Sequence, residues 1–353
     1  MKLSKFPYLV QKEILSHLTY NNLFFLSLCS QKIKNFLVES QKKQFKNIEQ
    51  IAYTAFWNRM EITAEIGSKT FLILDLNMSS DQRNKLTGDI SGTSIDYRRP
   101  SDPEKENLSV IACSCQNFCI VKAIHNQILK LFGTNISYGM TQRPQCKLLP
   151  KLQNFQALRL HGDELYPDQF ERFLEGSPNL HYFRCDVKIE DVRDLRDETK
   201  RKIYNIETVD IENSNFLCKA VFKNFNGRQA FLKVRGITQS EIVEFLNKWK
   251  SGEGFLNLEL MNIRGRFFNL NSNNVADRVG FKRINTAVTF PIIEKYKHSS
   301  SYGNPSKNGK GFRSRCYIVR ETDSRVASML LIGDRMILGV WNMTESEFLE
   351  KFA

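Results

Sequence analysis

Apolar residues open the chain at helical spacing. Phe6, Leu9, Val10, Ile14, Leu15 and Leu18 fall three and four apart, and Pro7 suits the first turn of the helix they predict over 6–18. The turn TYNN leads into Leu23, Phe24, Phe25, Leu26 and Leu28, a short second helix apolar nearly all round. Ser30 then stands where it can cap a third helix containing Ile33, Phe36 and Leu37. Helices this short cannot bury so much apolar surface among themselves, because a module of about 40 residues falls below the usual size of a self-sufficient core. Either the helices pack onto the rest of the chain or another polypeptide covers them. The polar, basic stretch from Gln41 to Gln50 reads as the end of the third helix running into a connector.

Further along, FLILDL (71–76) has the pattern of a strand, and 79–107 is so rich in turn formers and charge that it predicts a long exposed or disordered loop. Residues 108–133 predict an apolar stretch leading into a helix that Gly133 ends. Two later segments match each other. In 155–185, Leu158 and Leu160 mark a strand, Pro167 a helix start, Phe170, Phe173 and Leu174 its buried stripe, and Gly176 its end. In 228–260, Leu232 and Val234 mark the strand, Thr238 and Glu241 a capping box, Ile242, Phe245, Leu246 and Trp249 the stripe, and Gly252 the stop. Units of strand, helix and strand bury their faces by stacking, which predicts leucine-rich-repeat-like β/α units with a mostly parallel sheet over 150–263. The matching segments lie about 74 residues apart, far longer than an ordinary leucine-rich repeat, so the expected sheet is irregular. NLNSNN and 299–315 read as polar loops, and 316–343 as three strands of an antiparallel meander turning at ETDS and GDR. Thr344 and Glu347 can cap a last helix.

Residues 6–33 resemble an F-box. Phe6-Pro7 stands for the family's Leu-Pro, Ile14-Leu15-Ser16-His17-Leu18 for Ile-Leu-Ser-Tyr-Leu, and Leu23 with Leu26-Ser27-Leu28-Cys29-Ser30 for Leu…Leu-Ser-Leu-Val-Ser, without a gap. Leu9, Cys29 and Ile33 depart from the family's Glu, Val and Trp, and Leu9 removes a first-turn acid. The resemblance implies docking onto the Skp-type adaptor of an SCF (Skp–cullin–F-box) ubiquitin ligase, and through it onto a cullin, by Phe6, Pro7, Val10, Ile14, Leu15, Leu18, Leu23 and Leu26. Leu28 and Cys29 suit that face or the module's interior equally.

The later chain resembles nematode-type F-box proteins with a type 2 F-box-associated domain. Gly236-Ile237-Thr238-Gln239-Ser240-Glu241, Phe245-Leu246-Asn247-Lys248-Trp249 with Ser251-Gly252, and Ile318-Val319-Arg320-Glu321 leading into Ala327 carry that likeness, while 50–150 matches poorly. It implies a substrate-recognition domain for an unidentified protein. The expected class is therefore α+β: a three-helix F-box (1–45), a connecting region with a strand, a flexible loop and a helix (46–149), and an irregular leucine-rich-repeat-like β/α domain with a carboxy-terminal meander (150–353).

Composition narrows the function classes. Fifty-one Lys and Arg against 38 Asp and Glu leave a formal net charge of +13, which attracts acidic partners without naming one. An alternative reading uses that charge: a nucleic-acid-binding or scaffolding protein contacting phosphates through Lys307, Lys310, Arg313 and Arg315. No aromatic-and-basic RNA motif accompanies that loop, so the adaptor reading is favoured over nucleic acid. KLSKFP is no secretory leader and no apolar run has bilayer-spanning length, so a cytoplasmic or nuclear chain is expected, with its eight cysteines reduced and the Asn-x-Ser/Thr matches at Asn77, Asn107, Asn135 and Asn342 unused. Cys113, Cys115, Cys119 and His125 form a metal-like cluster but lack the paired C-x-x-C knuckles of structural zinc, so they read as small buried groups and no metal or cofactor is expected. The five dispersed histidines, His161 and His181 among them, accompany no nucleophile signature, and KNGKGF lacks the strand and helix of a nucleotide loop. Catalysis by this chain is not expected.

Overall fold

A computed structural model gives residues 5–57, 59–77, 86–90, 92–98, 109–111, 117–143, 152–177, 179–189, 193–265, 267–268, 271–291 and 311–352. They form two units, Met1–Arg159 with Arg172–Asn179, and Leu160–Glu171 with Leu180–Ala353.

Unit 1 begins with α1 (Tyr8–Ser16), α2 (Tyr20–Cys29), α3 (Gln31–Ser40) and the single turn α4 (Lys42–Phe45). Thr19 and Ser30 start α2 and α3 by accepting the amide protons of Asn22 and Ile33, both at 3.2 Å. A sheet follows, made of β1 (Gln50–Ala55), β2 (Arg59–Ile66), β3 (Lys69–Asn77), β4 (Leu86–Ile90), β5 (Thr93–Arg98) and β6 (Ser109–Ile111), with α5 (Asn117–Phe132) leading to β7 (Ser137–Gln142) and β8 (Phe155–Leu160). Its strand order is β8-β7-β1-β2-β3-β6-β5-β4. As its position predicts, Gly133 follows α5 in the left-handed region, φ 96°, and its amide donates to Leu129 O at 2.9 Å.

The stretch 79–107 differs from its expectation. Within it, β4 and β5 form an antiparallel hairpin in which Ile90 pairs with Thr93, Gly92 turns the chain at φ 83°, and Asp89 Oδ1 accepts the Gly92 amide at 2.9 Å. Asp89 and Gly92, two of the turn formers that suggested a loop, serve this tight turn, while 79–85, 91 and 99–107 lie outside the described residues.

In unit 2, β9 (Glu164–Leu165), the first residues of α6 (Pro167–Glu175), β10 (Tyr182–Cys185), β11 (Lys188–Ile189), α7 (Asp197–Tyr204), β12 (Thr208–Ile211), α8 (Asn215–Asn224) and β13 (Gln229–Lys233) come first. After them stand β14 (Ile237–Thr238), α9 (Gln239–Ser251), β15 (Leu260–Arg264), β16 (Phe267–Phe268), α10 (Ser272–Val279), β17 (Lys282–Phe290), β18 (Phe312–Val319), β19 (Arg325–Ile332), β20 (Arg335–Thr344) and α11 (Glu345–Phe352). β10, β12, β13 and β15 are parallel neighbours, β20 joins β15 antiparallel, and β17 to β20 form an antiparallel meander. The two matching segments of the sequence are thus not adjacent repeats, because β12 with α7 and α8 lies between them. That unit escaped notice because α7 is mostly polar, burying only Thr199 and Ile203, and β12 is four residues long. Likewise NLNSNN is no plain loop: Asn271 Oδ1 accepts the amides of Asn273 and Asn274 and starts α10. The last four residues of the expected loop 299–315 begin β18.

The parallel strands share a polar register at their amino-terminal ends. An asparagine stands three residues before each of β12, β13 and β15, at Asn205, Asn226 and Asn257. Asn226 donates to Asn205 Oδ1 at 2.8 Å, and Asn257 donates to the Asn226 carbonyl at 3.1 Å. Two residues after each come Glu207, Arg228 and Glu259. Arg228 joins Glu207, at 3.1 Å, to Glu259, and His181 Nδ1 lies 3.2 Å from Glu207. The predicted capping box is present, with Thr238 and Glu241 each bonding the other's backbone, and Gly252 closes α9 at φ 78°. Thr344 and Glu347 do the same for α11. One apolar cluster joins Leu260 and Ile337 to Phe290, Phe312, Trp341 and Phe348. Gly339 lets the Phe290 ring lie flat on β20, since a Cβ there would sit 2.6 Å from the ring.

One carboxylate in the sheet of unit 1 makes a pH prediction. Burial first, then the charge of Glu49, pushes Glu65 up to about 7 from an ordinary 4.5. Between those values the folded chain holds a proton that the unfolded chain releases, so this group's contribution to stability falls as pH rises, by on the order of 3 kcal/mol. Glu65→Gln should therefore raise the urea midpoint at pH 8, with the gain shrinking toward pH 5. Parallel pH curves for the two proteins would contradict this.

Candidate functional site

The site is the amino-terminal helical module, and α2 is its foundation. Its apolar character is used inside the unit: Leu23 and Phe24 are fully buried, and the Tyr20 ring packs at 6.4, 5.6 and 6.1 Å from the rings of Phe45, Phe71 and Phe132. Polar bonds fix its register. Asn21 Nδ2 donates to Ile73 O of β3 at 3.0 Å, and Gln127 Nε2 of α5 donates to Ser27 Oγ at 3.0 Å and Ser27 O at 3.3 Å. All four residues lie in unit 1, and Asn21, Ser27 and Gln127 are buried. In an apolar setting such bonds allow one arrangement and penalise the others, because an unmet buried amide is costly.

α1 is differently placed. Its end is anchored by Leu15, fully buried, and its start leans on α3 through an edge-on contact of Tyr8 with Phe36 at 5.9 Å. Yet Tyr8, Leu9 and Val10 are 52, 75 and 42% exposed, with Pro7 exposed beside them and Val38 exposed on α3. Of the eight residues assigned to a partner surface from sequence, Pro7 and Val10 are exposed, Phe6, Ile14, Leu18 and Leu26 are half-buried, and Leu15 and Leu23 are enclosed by the chain itself. Burial places those last two among the residues that hold the module's shape. Sequence reasoning left out Tyr8, Leu9 and Val38; the signal was Leu9, an apolar residue where the resembled pattern has an acid. On α3, burial and the neighbouring charge of Lys130 hold the Lys34 amine below its ordinary value.

The other candidates from sequence separate. His125 is buried on α5, where its Nε2 donates to the Gln153 carbonyl at 2.8 Å, leaving Nδ1 to accept the Tyr53 hydroxyl at the same distance. Burial holds its pKa below the ordinary value and Tyr53's well above. Neither nitrogen is left for a metal. Cys119 is exposed, and Cys113 and Cys115 lie outside the described residues, among which no group of three metal-binding side chains occurs. Arg313 and Arg315 are exposed on β18, whereas Lys307 and Lys310 lie outside the described residues. No helix among the described residues is long and apolar enough to cross a membrane.

The module is three short helices, fixed to its unit by buried amides and apolar on its outer turn. Residues 3–44 match the F-box domain. An F-box implies an adaptor role in SCF-type ubiquitin ligases, where such domains bind Skp-type adaptors and the proteins carrying them are generally non-catalytic. No curated protein and no solved structure matches the chain.

If the buried amide of Gln127 sets the F-box on its base, Gln127→Ala should cost about 2 kcal/mol, from the unmet Ser27 carbonyl and the space left behind. The urea midpoint should fall, and Ser27→Ala should be non-additive with it in a double-mutant cycle. Strict additivity would show that the two side chains are not coupled.

Proposed function

We propose that this chain is a substrate-recruiting subunit of an SCF-type ubiquitin ligase, with α1 and α3 presenting the surface for the Skp-type adaptor and unit 2 holding the protein to be ubiquitinated. The observation that carries the reading is the exposed run Pro7, Tyr8, Leu9 and Val10 at the start of an F-box whose second helix buries Tyr20, Asn21, Leu23, Phe24 and Ser27 within its own unit. Contiguous exposed apolar residues on a rigid base are what an interface anchor requires, since little ordering entropy is lost on binding. Ubiquitin transfer takes place on other subunits, in the cytosol or nucleus, and the chain supplies proximity between the charged conjugating enzyme and the acceptor lysines.

The finer assignment is a nematode-type F-box protein with a type 2 F-box-associated domain over 150–353, built of leucine-rich-repeat-like units. Its support is the parallel series of β10, β12, β13 and β15, starting at 182, 208, 229 and 260, together with the asparagine register and the capping box at Thr238 and Glu241.

Leu9→Asp with Val10→Asp should reduce recovery of the Skp-type adaptor in co-purification by at least about 100-fold, as expected for loss of apolar anchors, while the melting temperature stays near that of the parent chain. Leu15→Asp should instead lower stability, because its side chain has no route to solvent. Undiminished adaptor recovery by the folded double variant would contradict the proposal.

A further inference from the structure

Unit 2 brings three cations together in a way its sequence conceals. Lys233 ends β13, Arg264 ends β15 and Arg335 begins β20, and the strand registers place them directly beside one another: Lys233 pairs with Arg264, and Arg264 with Arg335. Directly opposed residues share a face, and adjacent strands are about 4.8 Å apart, so three positive charges stand in a line at strand spacing. The same row continues on β19 with Ile332, which pairs with Arg335 and is 65% exposed. One step inward on the same face stand Phe231, Asn262 and Ile337, of which Phe231 and Ile337 belong to the apolar cluster that also holds Leu260. The row is therefore the rim of that face.

Like charges directly opposed in a sheet destabilise it. Elsewhere unit 2 neutralises its enclosed arginines. Arg184 meets Asp186, Asp210 and Glu212 at 3.0, 3.1 and 3.2 Å, and Arg320 meets Asp323 at 2.6 Å. Lys233, Arg264 and Arg335 have no carboxylate within ion-pair distance among the described residues. Arg264 and Arg335 are half-buried, and the Arg335 guanidinium meets one acceptor, Asn262 Oδ1, at 3.4 Å from Nε. Burial and then the charge of Arg264 hold Arg335 below its ordinary pKa, and the neighbouring charge of Asp334 offsets this only in part. A row of cations that opposes like charges and meets no carboxylate within ion-pair distance among the described residues is complementary to oxyanions, which arginine binds through paired N–H donors.

We propose that the Lys233–Arg264–Arg335 row, flanked by Ile332, is where unit 2 receives an acidic segment of a protein partner, with carboxylates or phosphorylated side chains lying along the three cations. The proposal rests on the recruitment reading above, since it names the chemistry of the cargo, and it can fail without that reading failing. Ile332 offers the segment an apolar contact beside the charges, so the surface suits a polypeptide that alternates acidic and apolar residues.

The test uses the full chain co-purified with its Skp-type adaptor and four labelled probes: an eight-residue Glu-rich peptide, a Ser-Gly peptide carrying two phosphoserines, its unphosphorylated form, and an eight-nucleotide oligo-dT. One or both anionic peptides should bind in preference to the unphosphorylated control, and which of them binds identifies carboxylate or phosphate as the source of the charge. Lys233→Gln with Arg264→Gln and Arg335→Gln should weaken that binding about ten-fold or more, flatten its salt dependence, and leave adaptor recovery unchanged. Arg264→Gln alone should melt at or above the parent temperature, because it relieves repulsion; a lower melting temperature would assign the arginine to the fold and overturn the proposal. Anionic-peptide binding no better than the control, binding unchanged in the triple variant, or oligo-dT bound more tightly than either peptide and lost in the triple variant would each overturn it too. The Leu9→Asp, Val10→Asp chain should lose the adaptor yet keep the anionic peptide, which separates the two proposals.

Discussion

The amino-terminal module depends on the burial of α2. An apolar helix of ten residues, Tyr20–Cys29, lies on β3 and α5 and is held there by the amides of Asn21 and Gln127. Hydrophobic packing alone is tolerant of sliding, since many rotations of an all-round apolar helix bury similar area. Buried amides are not tolerant, because each rotation but one leaves donors and carbonyls unmet in a dry interior. With α2 fixed, α3 follows through the Ser30 cap, and Leu15 ties α1 to the assembly. The outer turn of α1, with Tyr8, Leu9 and Val10, is then the apolar surface left over. The F-box is thus part of a larger folded unit in this chain, which resolves how so short a helical module can be stable.

Unit 2 uses strand register in a comparable way. At one end of the parallel strands, Asn205, Asn226 and Asn257 and the charges of Glu207, Arg228 and Glu259 satisfy one another from strand to strand. At the other end, register opposes three cations that have no carboxylate within ion-pair distance among the described residues. An apolar cluster packs around Leu260 and Ile337, and Arg320, buried over the Trp249 ring and clasped by Asp323 and the Leu256 carbonyl, ties the loop after β18 to α9. Asp323 is in turn held below its ordinary pKa by its bonds with Arg320.

What could be read from the sequence was what neighbouring residues decide. The caps at Ser30, Thr238 and Thr344, the Gly133 and Gly252 stops and the meander over β18, β19 and β20 all depend on residues a few positions apart. What could not be read depends on distance along the chain. The partners of α2 lie 52 and 100 residues away, so nothing local showed that Leu23 and Phe24 face inward while Leu9 faces out. The β12 unit was missed because polar α7 and a four-residue strand leave little periodicity, and the β4–β5 hairpin because the turn formers around it outweighed its short strands. The cation row is invisible for the same reason as the α2 contacts: residues 233, 264 and 335 meet only once the strands are in register.

Hydrogen–deuterium exchange across α1, α2 and α3, in the free chain and with a Skp-type adaptor bound, measures the central claim most directly. With α2 locked into unit 1, its amides should already exchange in the free chain as slowly as those of β3 and α5, and adaptor binding should slow exchange chiefly in α1 and α3. Rapid exchange throughout α2 in the free chain, suppressed only when the adaptor binds, would contradict the account and make the helical module a segment that folds on its partner.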